Sequence, residues 1–202
     1  MSSQSKLREA KHFAELFPQQ HDEDGIRRVF GAAVAAIRTA AQAMREESLA
    51  RVSGERDASR TKRDLREWWD AEHRRQMDDD VLRWILDARN SDQHGDNANY
   101  LQVYYRYEAD LVCSTVPPGA EVADGQIIYD RHTPDERREP LNGIHSKKFF
   151  SRAVGKVETH RGDDIRDHNG PHALLFMAIE YYKELWYATQ DDPLTSDWPR
   201  PL

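Results

Sequence analysis

Residues 78–96 read DDDVLRWILDARNSDQHGD. Val81, Leu82, Trp84, Ile85 and Ala88 recur at helical spacing, which predicts an amphipathic helix over 78–90 with those side chains on its buried side. Asp78, Asp79 and Asp80 stand at its start, where aspartate caps a helix and negative charge suits the helix dipole. Such a stripe must be covered by other helices, and the chain supplies them on both sides.

Upstream, SKLREAKHFAELF (5–17) places Leu7, Ala10, Phe13 or Ala14, and Phe17 on one face, with Ser5 as N-cap and Pro18 as the stop. Residues 22–48 predict a longer helix whose stripe runs Ile26, Val29, Phe30, Ala33, Ile37, Ala40, Ala41 and Met44. Its alanines allow close helix approach. The polar stretch RVSGERDASRTK (51–62) reads as a loop or linker. A third helix is expected over 63–76, with Leu65, Trp68, Trp69 and His73. Downstream, PHALLFMAIEYYKELWYAT (171–189) is a helix with Pro171 in its first turn. Leu174, Leu175, Ala178, Tyr181, Tyr182 and Leu185 form its broad apolar face. The tail DDPLTSDWPRPL is a poor helix.

Between the fourth helix and the last, the period changes. In YLQVYYRYEADLVC the odd positions from 101 to 113 are Leu, Val, Tyr, Tyr, Ala, Leu and Cys. Period two favours a half-buried strand, against a helix through Leu101, Tyr104, Tyr105, Leu111 and Val112. VPPGAEVADG reads as turn, and GQIIYDR as the return strand of a long hairpin. Residues 131–146 read as loop, and 147–159 fit either strand or helix. The expected fold is therefore mainly α: a bundle of four or five helices in a single domain over 1–202. A small β-hairpin insert within 100–160 precedes the last helix.

Of the 202 residues, 38% are hydrophobic and 32% charged. Five Trp, eight Tyr and six Phe are enough to fill a core, so the composition is that of a folded, heavily charged protein. The formal net charge of −7 argues against a protein that coats nucleic acid, although one small basic spot could still act on RNA. Arginine outnumbers lysine, which suits bidentate phosphate pairing but also follows from a GC-rich genome. The basic candidates are Arg74, Arg75, Arg83, Arg89, Lys147 and Lys148. The single cysteine, Cys113, excludes an internal disulfide and a multi-Cys zinc site, and reads as buried and inert. No apolar run approaches membrane-spanning length and MSSQSKLREAKHF has no apolar h-region. A cytoplasmic protein is expected, with no membrane partner.

Arg89, Asn90 and His94 fall within six residues at the end of the 78–90 helix. In the bland reading Arg89 serves the dipole, Asn90 serves the cap, and His94 is a loop residue. In the chemical reading arginine forks onto a phosphate, histidine passes protons near neutral pH, and the amide orients either. Those groups are what metal-free RNA cleavage requires. RNSDQH has the form R-N-x-x-x-H at the C-terminal end of an amphipathic helix. With LREAKHFAEL and the long FGAAVAAIRTAAQAM helix, it resembles the HEPN superfamily of small helical domains. The resemblance covers residues 5–96 and the last helix, and leaves 100–160 unassigned.

The resemblance implies a metal-independent endoribonuclease of toxin or defence type. It implies a homodimer whose two Arg/His pairs share one cleft, RNA as substrate, and an antitoxin or regulatory protein as partner. Arg89 would hold the scissile phosphate, His94 would be the general acid/base, and Asn90 would orient them; no cofactor is expected. An alternative within the resemblance is a non-catalytic module that binds a partner protein or nucleotide. A third alternative, read from the residues alone, is a metal-dependent hydrolase. It would use the THRGDDIRDHNGPH cluster of His160, Asp163, Asp164, Asp167, His168 and His172. Against it, Asn169-Gly170-Pro171 breaks the helical register between His168 and His172, and a polar loop with a helix cap explains the same residues. Trp68-Trp69 and the tyrosines of 100–107 read as core rather than as base-stacking platforms.

Overall fold

The computed structural model describes residues 2–52, 58–93, 100–110, 120–123, 126–130, 135–140, 144–168 and 170–190. Five α-helices dominate them: α1 (Ser3–Leu16), α2 (Glu23–Arg51), α3 (Ala58–Asp78), α4 (Asp80–Gln93) and α5 (Pro171–Gln190). Among the described residues seven strands lie between α4 and α5: β1 (Leu101–Asp110), β2 (Glu121–Ala123), β3 (Gln126–Tyr129), β4 (Arg137–Pro140), β5 (Ile144–Ala153), β6 (Thr159–His160) and β7 (Asp163–Asp164). The fold is a mainly helical bundle with small antiparallel strand elements before the last helix. Among the described residues no helix is long and apolar enough to cross a membrane.

The chain divides into two compact units, residues 1–104 with 151–202, and residues 105–150. The first holds the bundle. α1 packs on α2 and α5, α2 also meets α3, α4 and α5, and α4 touches α3, α5 and β6. Ala10, Ala14, Ala33 and Ala40 have no exposed surface, and α1 and α2 are in extensive contact. Leu65, Leu82, Ile85, Leu174, Leu175, Tyr182 and Leu185 close the core. Ser3 donates from its backbone N to Glu47 Oε1 at 2.8 Å, fastening the start of α1 to the far end of α2.

Helix boundaries differ from the sequence reading where local capping decides them. α1 begins at Ser3 rather than Ser5, because Ser2 is the N-cap and its Oγ accepts from Ser5 N at 3.3 Å. Asp22 caps α2 by accepting from Gly25 N at 2.7 Å. α3 starts at Ala58, inside the stretch read as a loop. α4 takes Asp79 as its side-chain cap, accepting from Leu82 N at 2.9 Å, and runs on to Gln93 instead of ending at Asn90.

The strands correct the hairpin reading. β1 pairs with β5, not with the GQIIYDR segment. That segment is β3, the centre of an antiparallel meander, with Ile127 opposite Val122 on β2 and Glu139 on β4. Local connections made β2 and β4 its nearest partners. β4 also lies within the span read as loop, and β5 resolves the ambiguous 147–153 as strand. In the 105–150 unit, Arg137 stands over the Tyr129 ring at 4.9 Å, directly across the ladder. In the helical unit, Val154 N donates to Tyr100 O at 2.9 Å and Arg152 Nε to Gln102 Oε1 at 2.5 Å. Trp84 Nε1 donates to Val154 O at 3.1 Å, and Arg27 Nη1 to Leu101 O at 3.3 Å. These bonds tie residues 100–102 and 152–154 to α2 and α4. Cys113 and the tail 191–202 lie outside the described residues.

Candidate functional site

Arg89 and Asn90 sit on the last turns of α4, and His94 lies outside the described residues. Because the helix continues through Gln93, positions 89 and 90 lie within it, ahead of its last residue. Position 89 lies at i+4 from buried Ile85 and i+7 from buried Leu82, so it continues the register of the inner stripe. Leu86, at i−3 from position 89 and i−4 from position 90, lines a cleft in the bundle.

That cleft has a volume of about 250 Å³. α2 contributes Arg38, Ala41, Gln42 and Arg45, α3 contributes Trp69, His73 and Gln76, and α5 contributes Tyr182. Trp69, Gln76 and Tyr182 are buried and form the floor, while Gln42, Arg45 and His73 are exposed at the rim and Arg38 is half-buried. Among the described residues no carboxylate lines it. Asp70 pairs with Arg45 at 3.1 Å, with both side chains largely in solvent. The floor is fixed by hydrogen bonds: Trp69 Nε1 donates to Ser48 Oγ at 2.9 Å and Tyr182 Oη to Gln76 Oε1 at 3.0 Å.

Beneath the floor the polar residues continue inward. Glu72 has no exposed surface. Its carboxylate accepts from Tyr181 Oη, from Gln76 Nε2 at 3.1 Å and from Arg75 Nη1 at 3.3 Å. Burial pushes the Tyr181 and Tyr182 hydroxyls up, and the charge of Glu72 pushes them further, so both stay protonated donors. The tyrosine rings meet edge to face at 5.4 Å, and His160 leans on Tyr181 at 6.4 Å. The outward face of α3 carries His73. Leu65, Trp69, Glu72 and Gln76 hold the inward register.

The 160–172 cluster does not converge. His160 Nδ1 lies 3.0 Å from Asp79 Oδ2. Arg166 grips Asp164 and holds its carboxyl at about 2. His172 packs edge to face on Phe176 at 4.9 Å, and Asp163, Asp167 and His168 are exposed. Among the described residues no three His, Cys, Asp or Glu side chains are grouped to hold a metal ion.

What the cluster does instead is seat the 158–161 turn on the start of α4. Asp79 also accepts from Arg161 N at 2.8 Å, and Asp80 Oδ2 accepts from Glu158 N at 3.2 Å and Thr159 N at 3.1 Å. Burial opposes the charge on both aspartates. The bonds from His160, Leu82 and Arg161 to Asp79, and from Thr159 and Glu158 to Asp80, outweigh it and hold both below the usual carboxylate range.

Of the basic candidates, Arg75 and Arg83 are engaged by Glu72 and Asp80. Trp69 is buried and packs edge to face with half-buried Trp68 at 5.0 Å. Arg38 and Arg45 were missed, although Arg38, Gln42 and Arg45 stand at i, i+4 and i+7 on α2, a polar stripe beside the apolar one. Comparison with protein-family models, with curated proteins and with solved structures finds no match.

Proposed function

We propose that the protein is a HEPN-like, metal-independent endoribonuclease that works as a homodimer through Arg89, Asn90 and His94. The supporting observation is the continuation of α4 to Gln93, which puts positions 89 and 90 within the helix, one turn beyond the cleft residue Leu86. Arg89 grips the scissile phosphate and offsets the charge of the pentavalent transition state. His94 takes the proton of the 2′-hydroxyl as that oxygen attacks phosphorus. The facing His94 of a second copy gives a proton to the departing 5′-oxygen, so the products are a 2′,3′-cyclic phosphate and a 5′-hydroxyl. Asn90 orients the phosphate.

Mixed RNA incubated with EDTA tests the reading. Arg89→Ala is expected to slow cleavage by about 100-fold or more, the usual scale for an electrostatic contact to the transition state, while the helical circular dichroism stays unchanged. Equal cleavage by Arg89→Ala and the wild type would remove Arg89 from the chemistry.

A further inference from the structure

We propose that residues 155–165 form a strap that opens on an otherwise folded bundle, with Asp79 and Asp80 at the start of α4 as its catch and acid as its release. The proposal stands apart from the ribonuclease reading, since neither Arg89 nor His94 enters it. Three observations carry it.

The first is the catch. Donors of one tetrapeptide, 158–161, converge on the two carboxylates. Asp80 Oδ2 accepts from Glu158 N at 3.2 Å, Thr159 N at 3.1 Å and Thr159 Oγ at 2.9 Å. Asp79 Oδ2 accepts from Arg161 N at 2.8 Å and lies 3.0 Å from His160 Nδ1. Glu184 on α5 adds an ion pair to Arg161 Nη1 at 2.7 Å. The second is how little apolar burial holds the strap. β6 and β7 are two residues each, Val157 and Ile165 are its buried apolar side chains, and Gly162, Asp163 and Asp164 are exposed. Segments so sparsely buried open locally, ahead of the core. Arg161 also holds a left-handed φ of 54°, disfavoured for a residue with a Cβ and kept by its bonds to α4 and α5. The third is the hinge. Val154 is pinned, its N donating to Tyr100 O and its O accepting from Trp84 Nε1. The next residue, Gly155, has a φ of 109° and nothing but its chain neighbours, among the described residues, within 4 Å of where a Cβ would stand. The chain can turn there without collision. Behind the closed strap the His160 ring stands against Tyr181, whose hydroxyl donates to Glu72. Opening therefore uncovers the donor of a carboxylate that has no exposed surface while the strap is shut.

Acid releases the catch because its surroundings favour charged carboxylates. Asp79 faces His160 and Arg161 from the strap and Tyr181 from α5, with Glu72 of α3 beyond that tyrosine. Asp80 faces Glu158 and Thr159 from the strap and Arg83 on its own helix. Burial opposes the charge on both. The bonds from His160, Leu82 and Arg161 to Asp79, and from Thr159 and Glu158 to Asp80, hold both below the usual carboxylate range while the strap is shut. Opening returns them toward about 3.9. The catch is therefore fully made above that pH and weakens as pH falls through about 4 toward the closed-state values.

Amide hydrogen exchange of the whole chain, followed residue by residue by NMR, tests the strap. At pH 6 the amides of Thr159, Arg161 and Ile165 are expected to exchange, relative to their unstructured rates, about 100-fold or more faster than those of Leu174, Leu175 and Leu185 in the core. Between pH 6 and pH 4 the opening constant of the strap should rise about threefold, roughly 1.8-fold for each carboxyl, with the α5 amides still far better protected. Asp80→Asn should raise strap opening about tenfold and cut the pH response to roughly 1.8-fold. If that variant does not fold, the wild-type profile decides by itself. Strap amides as well protected as those of α5 at pH 6, or an opening constant unchanged between pH 6 and pH 4, would overturn the proposal. Equal strap exchange in folded Asp80→Asn and the wild type would overturn it as well.

Discussion

Glu72 is a carboxylate without exposed surface inside a helical bundle. Such a group is tolerated only while donors surround it, and Tyr181, Gln76 and Arg75 supply them. Glu72→Ala strands the Tyr181 hydroxyl and the Gln76 amide and should cost about 3 kcal/mol of stability. Glu72→Gln keeps an acceptor in place and should cost clearly less. A urea midpoint shift at unchanged m-value measures both, and equal midpoints for Glu72→Ala and the wild type would contradict the account. At this scale the sequence was half legible. Leu65 and Trp69 announce the inner register of α3, and extending it by helical steps reaches Glu72 and Gln76. The sequence reading did not single them out, since their polarity suits an exposed face. The tyrosines of α5, 106 and 109 residues away in the chain, help to make those two polar side chains tolerable within the core.

At the scale of elements, the start of α4 does two things at once. Asp79 caps the helix, and with Asp80 it also binds the 158–161 turn. Both carboxyls have folded-state pKa values below their ordinary ones. Their contribution is thus present above the unfolded carboxylate pKa, near 3.9, and is lost as pH falls below about 4 toward the folded values. Urea midpoints between pH 6 and pH 3 should fall more steeply for the wild type than for Asp79→Asn. Parallel profiles would remove Asp79 from this linkage. The acidic cap was visible in DDD, since capping is local. Its second task was not, because it depends on a contact 78 to 82 residues distant. The strands show the same division. The Asp124-Gly125 dipeptide between β2 and β3 carries a hairpin signal. The expectation of one long hairpin passed over it, and the β1–β5 pairing has no local signature at all.

For the whole molecule, the bundle was legible because five amphipathic stripes can bury themselves only against one another. Arg89 and Asn90 fall on α4 as expected, though not at its end, and His94 lies outside the described residues. The proposed enzyme is a homodimer, so sedimentation should give about twice the chain mass; a monomer that cleaves RNA at full rate would contradict the shared cleft. The ribonuclease claim itself meets its most direct test in the cleavage of mixed RNA with EDTA present, wild type beside His94→Ala. The account predicts cleavage by the wild type, ending in 2′,3′-cyclic phosphates, and a loss of about 100-fold or more in His94→Ala. Cleavage at the same rate by both proteins, or by neither while both are folded, would contradict it.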